Sequence, residues 1–322
     1  MRILKIDWNK DNKVIETILV IGLSTVLMLV GIYYIPWIIF LYPVPFIALG
    51  VKHGVNYNIL SLIISTFSIG LMVDKISGIY IFLAFTPLSI SLNYSINNRK
   101  SSFEIIGIST LVLLASVLLL FNIMGDMAGV SIITQLEEFF TNSLNTQLEI
   151  FKEMELSSYE LLKIKDVLEN AFDYILLIIP SIIMIFSLVT AYLNYLISIL
   201  LLRKMGYGIV AIPKFSKFKL PSNILIGTGI MFLGAFLLKK LKLFYYETIF
   251  LNITVLASFI FFTQGLSVID YKLAKKNIWI IPRILIILFL TIILPLGGII
   301  SFIGVLDVII DFRKIKKSTN SK

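Results

Sequence analysis

The residues with the clearest potential for chemistry lie in one short apolar stretch, Tyr42 to Gly54. It reads Tyr-Pro-Val-Pro-Phe-Ile-Ala-Leu-Gly-Val-Lys-His-Gly, and His53 is the single histidine of the chain. Pro43 and Pro45 cannot donate backbone hydrogen bonds, so a helix there leaves carbonyl groups that protein or water must satisfy. We expect His53, beside Lys52, to be either an interfacial residue or a contact for a ligand or a proton.

Several other residues, in this stretch and near the C-terminus, have spacings that indicate structural roles. Gly50 and Gly54 are four residues apart, which lets a neighbouring helix approach closely. Asp307 and Asp311 are also four apart, hence on one helical face, and Arg313 is nearby. A salt bridge at the membrane edge is the expected role of these charged residues. The structural or partner-facing positions are therefore Pro43, Pro45, Gly50, Gly54, Asp307, Asp311 and Arg313.

A lone arginine, Arg283, follows Pro282 inside an apolar run. Such an arginine either extends to the lipid headgroups, here beside Trp279, or faces a water-filled pocket. In the pocket it would bind an anionic group of a solute through its planar set of donors. His53 and Gln264 are predicted to share that pocket. Hydrogen bonding between helices is the alternative role of the amide side chains within apolar runs, which are Asn122, Asn194, Asn252 and Gln264.

Other kinds of site find little support in the sequence. The chain has no cysteine and one histidine, which excludes thiolate and multi-histidine metal sites. It contains no P-loop, no His-Glu-x-x-His motif and no nucleophile elbow. We therefore predict no catalytic residue, no metal, no cofactor and no enzyme activity. The net charge of +9 does not indicate nucleic acid, because the lysines and arginines form short clusters between apolar runs.

The candidate residues are embedded in a chain that is apolar almost throughout. Of its 322 residues, 58% are hydrophobic and 15% charged, and the mean hydropathy is +0.96. Because one crossing needs about 20 apolar residues, we predict an all-α, polytopic integral membrane bundle of eight to ten transmembrane segments. The segments are 14–34, 37–51, 57–73, 78–95, 104–124, 174–202, 221–238, 247–269 and two short ones within 279–312, divided at Pro295-Leu296-Gly297-Gly298.

One long polar stretch, Asp126 to Asp173, interrupts the apolar runs. Ten acidic and three basic residues give it a formal charge of −7, against +9 for the whole chain. Its apolar residues recur at three- and four-residue steps, which predicts an amphipathic helix. Ser157 to Glu160 fits a capping box, which predicts a second helix that runs on into the sixth segment. These helices either lie on the outer membrane surface or cover a pocket, and contact with the bundle is favoured over contact with anionic lipid.

The distribution of charge predicts an orientation in the membrane. Segment 203–219 has five basic and no acidic residues, and basic loops stay in the cytoplasm. With the acidic stretch outside, both termini are cytoplasmic in a bacterial cell membrane. We predict one integral membrane domain, 1–322, composed of N-terminal spans 14–124, an acidic extracytoplasmic helical loop 125–173, C-terminal spans 174–312 and a basic cytoplasmic tail 313–322.

Three stretches together resemble the YybS-like proteins, multi-span membrane proteins of Firmicutes. They are 42–54, the Pro282-Arg283 start of a late span, and the terminal Gly304-Val-Leu-Asp-Val-Ile-Ile-Asp-Phe-Arg-Lys. The resemblance covers essentially the whole chain, but this family has no settled biochemical activity from which catalytic residues could be carried over. It is distantly similar to the substrate-binding S components of energy-coupling-factor vitamin transporters, which are small helical bundles. The extra spans and the acidic loop depart from a plain six-span S component.

The resemblance implies binding or transport of a small solute by a protein embedded in the lipid bilayer, with the solute unspecified. The alternative is a membrane scaffold, because family members are often encoded near a membrane-anchored cyclic-dinucleotide phosphodiesterase. Such a scaffold would dock a signalling or cell-envelope partner in the membrane or the cytoplasm. Polar residues clustered around a cavity within the spans would favour transport.

Overall fold

In the computed structural model of the chain, the residues described are 13–154, 157–208, 214–221, 223–241, 245–293 and 297–314. Within them the regular structure is entirely helical, as predicted. The α-helices are α1 Lys13–Tyr33, α2 Pro43–His53, α3 Val55–Met72, α4 Lys75–Asn97, α5 Ser102–Ala128, α6 Ile132–Glu153, α7 Ser158–Lys204, α8 Ile224–Lys240, α9 Tyr246–Lys275, α10 Ile280–Ile292 and α11 Gly297–Ile310. Two short 3-10 helices, Pro36–Leu41 and Phe215–Lys217, precede α2 and α8.

Seven helical segments of the described chain are long and apolar enough to cross a membrane. An eighth is reached if α10 and α11, which form a sharply bent pair, are counted as one broken span. α8 has 17 residues, about one turn short of a typical crossing. The fold is therefore the predicted polytopic helical bundle, and the span count meets the lower end of the predicted eight to ten. Pro295 and Leu296 of the predicted break lie outside the described residues.

The second predicted segment, 37–51, is divided into two helices. The two prolines suggested such a break, but the structure gives a different reason for it. The 3-10 helix Pro36–Leu41 ends before α2 begins at Pro43. Pro43 and Pro45 thus lie in the first turn of α2, where backbone N–H groups have no helical acceptor in any case. The prediction that these prolines leave carbonyls unpaired inside a helix is wrong, since both prolines begin the helix.

The acidic stretch forms two helices, as predicted. Ser157 and Glu160 make the capping box, with Ser157 N–H donating to Glu160 Oε2 at 2.9 Å and Glu160 N–H donating to Ser157 Oγ at 3.3 Å. α7 then continues unbroken for 47 residues into the sixth predicted span. The apolar face of α6 meets α7 where the Phe140 and Phe172 rings stack, with centroids 4.8 Å apart.

Pro180 lies within α7, and a side chain of α9 compensates for the irregularity there. The Ser181 N–H donates to Asn252 Oδ1, and Asn252 Nδ2 donates to the Leu177 carbonyl, each at 2.8 Å. A regular helix would pair this N–H with this carbonyl directly. Asn252 therefore makes the predicted interhelical hydrogen bonds, and it makes them beside Pro180.

The chain divides into two compact units, each described here by itself. Unit 1 comprises Met1–Phe139 and Phe186–Ile212, and unit 2 comprises Phe140–Ile185 and Pro213–Lys322. The prediction of one domain is not tested by this division. In unit 1, α2, α4, α5 and the C-terminal part of α7 share one apolar core. Its fully buried side chains include Ile47, Leu88, Leu92, Leu113 and Tyr195.

In unit 2, α9 and α11 cross closely, because two glycines remove the side chains that would separate the backbones. A Cβ atom on Gly265 would collide with the carbonyl oxygen of Ile300, and one on Gly304 with that of Phe261. Phe261 and Val308 belong to the small apolar core beside this crossing. The crossing brings polar residues of α9 within reach of α11.

Candidate functional site

Unit 1 contains an open groove of about 680 Å³ that follows one side of α4. Its size is in the range of small-molecule sites, about 300–1,000 Å³. Most of its lining is apolar or aromatic, with a few hydroxyl and amide side chains. The lining residues are Val55, Phe82, Leu83, Thr86, Pro87, Ile90, Ser91, Asn93, Tyr94, Asn97 and Val112.

One residue that lines the groove has a buried polar atom without a partner. Thr86 is 5% exposed, and its hydroxyl has no hydrogen-bond partner among the described residues. Pro87 lies inside α4 and has no N–H to donate to the Leu83 carbonyl, four residues before it. Buried polar groups in proteins are usually paired, and Thr86 is one of six buried hydroxyl groups without a partner among the described residues.

Behind the groove, α2, α3 and α4 meet through small and polar residues. Ser89 Oγ donates to Asn58 Oδ1 at 3.0 Å, and both residues are fully buried. A Cβ atom on Gly50 would collide with the Asn93 amide, so the predicted close approach at Gly50 is found. Gly54 has open space around it and instead adopts a φ of +105° at the end of α2, which favours glycine.

His53 belongs to a buried ionic cluster that joins α1 to α2. Glu16 Oε2 lies 2.6 Å from His53 Nε2 and 2.6 Å from Lys52 Nζ. The three side chains are 4–12% exposed. One carboxylate thus faces two basic groups inside the protein. The sequence analysis missed Glu16, although an acidic residue in the first turn of an apolar helix was a visible signal.

In unit 2, Gln264, Asp307 and Arg313 form one buried network. Gln264 Nε2 donates to Asp307 Oδ2 at 2.6 Å, and Arg313 Nη2 donates to the same oxygen at 2.8 Å. Arg313 also donates to the backbone carbonyls of Ser216 and Phe218, at 3.0 and 2.8 Å. The predicted salt bridge of Arg313 is therefore present, but Asp307 and Arg313 are fully enclosed and fasten the segment before α8 to α9 and α11.

Asp311 has a different partner from the one its spacing suggested. α11 ends at Ile310, and Asp311 adopts a φ of 52° just beyond it. Its Oδ1 lies 2.6 Å from Lys219 Nζ. Asp311 thus lies one residue beyond α11, although its N–H still donates to the Asp307 carbonyl at 3.0 Å. The prediction that Asp307 and Asp311 share a helical face stays a prediction.

Arg283 has an acidic partner within unit 2. Its Nε and Nη2 atoms lie 2.7 and 2.6 Å from Asp270 Oδ1, which links the start of α10 to α9. This pair explains a charged residue in an apolar run without a solute. His53 lies in unit 1, whereas Arg283 and Gln264 lie in unit 2. The pocket predicted to contain all three stays a prediction, as does an anionic group bound by Arg283.

Comparison with known proteins identifies the family of this chain. A profile described as "Predicted membrane protein (DUF2232)" matches residues 22–308. The chain belongs to this family. It is also 24% identical over 267 residues to the "Uncharacterized protein YybS" of Bacillus subtilis (strain 168), covering 81% of this chain and 84% of that one. The resemblance to YybS-like membrane proteins is thus confirmed. No solved structure matches the chain.

Proposed function

We propose that this DUF2232 protein binds a small solute inside the membrane and serves as the substrate-binding component of a transport system. The groove along α4 carries this proposal. It combines a volume suited to a small molecule with an orphaned hydroxyl at Thr86. In a bilayer core, unpaired polar groups are tolerated where they line a cavity. A groove of this kind is what a membrane-embedded binding protein needs.

The charged residues of unit 1 support this assignment by where they are engaged. Lys52 and His53 contact Glu16, and none of these three residues lines the groove. The groove is therefore left to hydroxyl, amide and apolar side chains. Selection of a small solute by a mostly apolar site with a few fixed polar groups is the usual arrangement in ligand pockets.

Native mass spectrometry of the gently solubilised protein tests the proposal. A matched pair of variants on α5 assigns any bound molecule to the groove, because Val112 lines it and the neighbouring Leu111 is 63% exposed. We expect wild type and Leu111→Phe to retain a small molecule, and Val112→Phe to lose at least nine-tenths of it. If none of the three proteins retains a molecule, the binding proposal fails and the scaffold becomes the better function.

We also propose that the protein resides in the bacterial cytoplasmic membrane with both termini in the cytoplasm. The support is the charge distribution: the acidic stretch carries −7 while the chain as a whole carries +9. Basic loops remain on the cytoplasmic side during insertion. This orientation would place α6 and the first turns of α7 on the outer side.

A further inference from the structure

The groove follows α4 from near the middle of this helix to its C-terminal end. The residues of α4 that line it run from Phe82 to Asn97, the last residue of the helix. At the helical rise per residue, this stretch is about 22 Å long. One leaflet of a bilayer, with its headgroup region, is also about 20–22 Å thick, which is half of the whole membrane. The groove therefore has the length of a membrane lipid.

The lining of the groove changes from apolar to polar along this path. Phe82 and Ile90 belong to its inner part, where the one hydroxyl, that of Thr86, is buried. Tyr94 and Asn97 line its end. None of the described residues that line the groove is Asp, Glu, Lys or Arg. An ionised group would lose its hydration inside without gaining a counter-charge, so the inner part suits a hydrocarbon chain.

Two basic residues follow directly after the polar end of the groove. Lys100 Nζ lies 5.5 Å from the centroid of the Tyr94 ring, which lines the groove. The Arg99 N–H donates to the Ile96 carbonyl at 3.0 Å, and the Lys100 N–H donates to the Ser95 carbonyl at 3.2 Å. These bonds hold the backbone of both residues against the end of α4. Two cations thus stand at the outer end of an uncharged groove.

Neither cation has an acidic partner in the part of the chain that the structure describes. The side chains of Arg99 and Lys100 form no salt bridge there. The nearest acid along the chain, Glu104, belongs to the capping box of α5. Lys52 of the same unit differs, since its Nζ lies 2.6 Å from Glu16 Oε2. Arg99 and Lys100 are therefore available to an external anion.

The position of these cations along the chain agrees with a lipid headgroup. Four apolar helical segments of membrane-crossing length, from α1 to α4, precede Arg99. Four crossings return the chain to the side on which α1 begins. In the orientation proposed above that side is the cytoplasm, where anionic lipids attract basic residues beside the membrane.

We infer that the groove binds an anionic membrane lipid, with one acyl chain along α4 and the headgroup at Arg99 and Lys100. This inference rests on the proposed function, because it names the substrate class of the same groove. The uncharged lining takes the hydrocarbon chain, and the two cations take the negative charge. Chain and charge are recognised by different residues, so each can be tested separately.

The test is native mass spectrometry of the full-length protein in a neutral detergent, titrated with oleoyl lysophosphatidylglycerol. Oleoyl lysophosphatidylcholine has the same chain but no net charge, and glycerol phosphate has the charge but no chain. We expect the choline lipid to bind at least about tenfold more weakly, since one basic residue near a membrane contributes about fivefold toward an anionic lipid. Glycerol phosphate at the same concentration should not displace the bound lipid.

Point variants assign each part of the lipid to its residues. Arg99→Gln and Lys100→Gln should each weaken binding of lysophosphatidylglycerol about fivefold. Lys75→Gln is the control, because Lys75 is exposed at the opposite end of α4, and it should leave binding unchanged. Val112→Phe places a ring in the groove and should weaken binding at least tenfold, whereas Leu111→Phe should not. Size-exclusion profiles and thermal unfolding verify that the variants fold.

The outcomes distinguish this inference from the proposed function. Equal binding of the two lysolipids, displacement by glycerol phosphate, or unchanged binding in both Arg99→Gln and Lys100→Gln overturns the inference. Binding of lysophosphatidylglycerol that Val112→Phe leaves intact also overturns it, because the lipid would then lie outside the groove. The proposed function survives each of these results if purified wild type still retains a molecule that Val112→Phe displaces.

Discussion

At the residue scale, the most consequential group of unit 1 is the Glu16 carboxylate. It is the acidic partner of both Lys52 and His53, and all three side chains are almost fully enclosed. Removing one partner of a buried ion pair destabilises a protein more than replacing both partners with apolar residues, because the remaining charge stays desolvated. Here two basic groups would be left without their acid.

We therefore expect Glu16→Gln to lower the free energy of unfolding by about 3 kcal/mol. Glu169→Gln is the control, since Glu169 pairs with Lys165 on the exposed face of α7 at 3.6 Å and should contribute less than about 1 kcal/mol. Unfolding of the solubilised protein, followed by tryptophan fluorescence, gives both values. Equal stability of the two variants would show that the cluster does not hold α1 to α2.

Two arginines of unit 2 allow a matched comparison of Arg→Lys. Arg313 is fully enclosed and bonds two backbone carbonyls besides Asp307, whereas Arg283 is 18% exposed and bonds Asp270. Lysine cannot reproduce the planar fork of donors. Arg313→Lys should cost about 3 kcal/mol through carbonyls left unpaired, and Arg283→Lys about 1 kcal/mol. The unfolding assay compares them, and a larger loss for Arg283→Lys would contradict this ranking.

The sequence predicted single residues better than it predicted their partners. His53, Gln264, Arg283, Asp307 and Arg313 were recognised because each is polar within an apolar run, where polarity is expensive. The partners Glu16 and Asp270 were missed, because pairing across 37 or 13 residues depends on which helices touch. Thr86 gave no signal of its own, since most threonines in helices bond their own backbone.

At the element scale, α7 depends on Asn252 where its own hydrogen bonding is interrupted. The amide bridges the Ser181 N–H and the Leu177 carbonyl next to Pro180. Proline in a helix removes one bond and bends the axis unless neighbouring groups compensate. Hydropathy predicted where this helix crosses the membrane, and the capping box predicted where it starts.

We expect Asn252→Leu to lower the free energy of unfolding by about 2 kcal/mol, because buried backbone groups lose partners on another helix. Asn122→Leu is the matched control: Asn122 is exposed on α5 and donates to the Leu118 carbonyl of its own helix. Its replacement should change stability by less than about 0.5 kcal/mol. Similar losses in both variants would mean that Asn252 does not secure α7 to α9.

At the scale of the whole molecule, the distribution of charge along the chain is the basis of the proposed orientation in the membrane. The absence of cysteine makes the proposed topology accessible to single-cysteine labelling. Asn145 on α6 and Lys217 before α8 are both exposed, whereas the adjacent Ser216 is buried and unsuitable. Asn145→Cys should react with an impermeant maleimide in intact cells, and Lys217→Cys only after permeabilisation. The reverse pattern would refute cytoplasmic termini.

Hydropathy predicted the membrane bundle and the approximate position of nearly every helix, because a bilayer imposes length and apolarity on each crossing. It did not predict the groove. The groove is the space that three packed helices leave between them. The sequence pattern of a single helix carries no information about that space. The role of Pro43 and Pro45 escaped for a related reason, since only the observed start of α2 shows that they occupy its first turn.

The length of α7 gives it the properties of a lever. Its 47 residues extend for about 70 Å, more than twice the thickness of the hydrocarbon core. Proline is a common cause of bends in helices. The part of α7 from Ser158 to Pro180 is about 33 Å long, so a bend of about 10° at Pro180 would displace Ser158 by about 6 Å. The stacked rings of Phe140 and Phe172 attach α6 to that arm. A small angular change beside Asn252 would therefore be amplified into a movement wider than a water molecule at the far end.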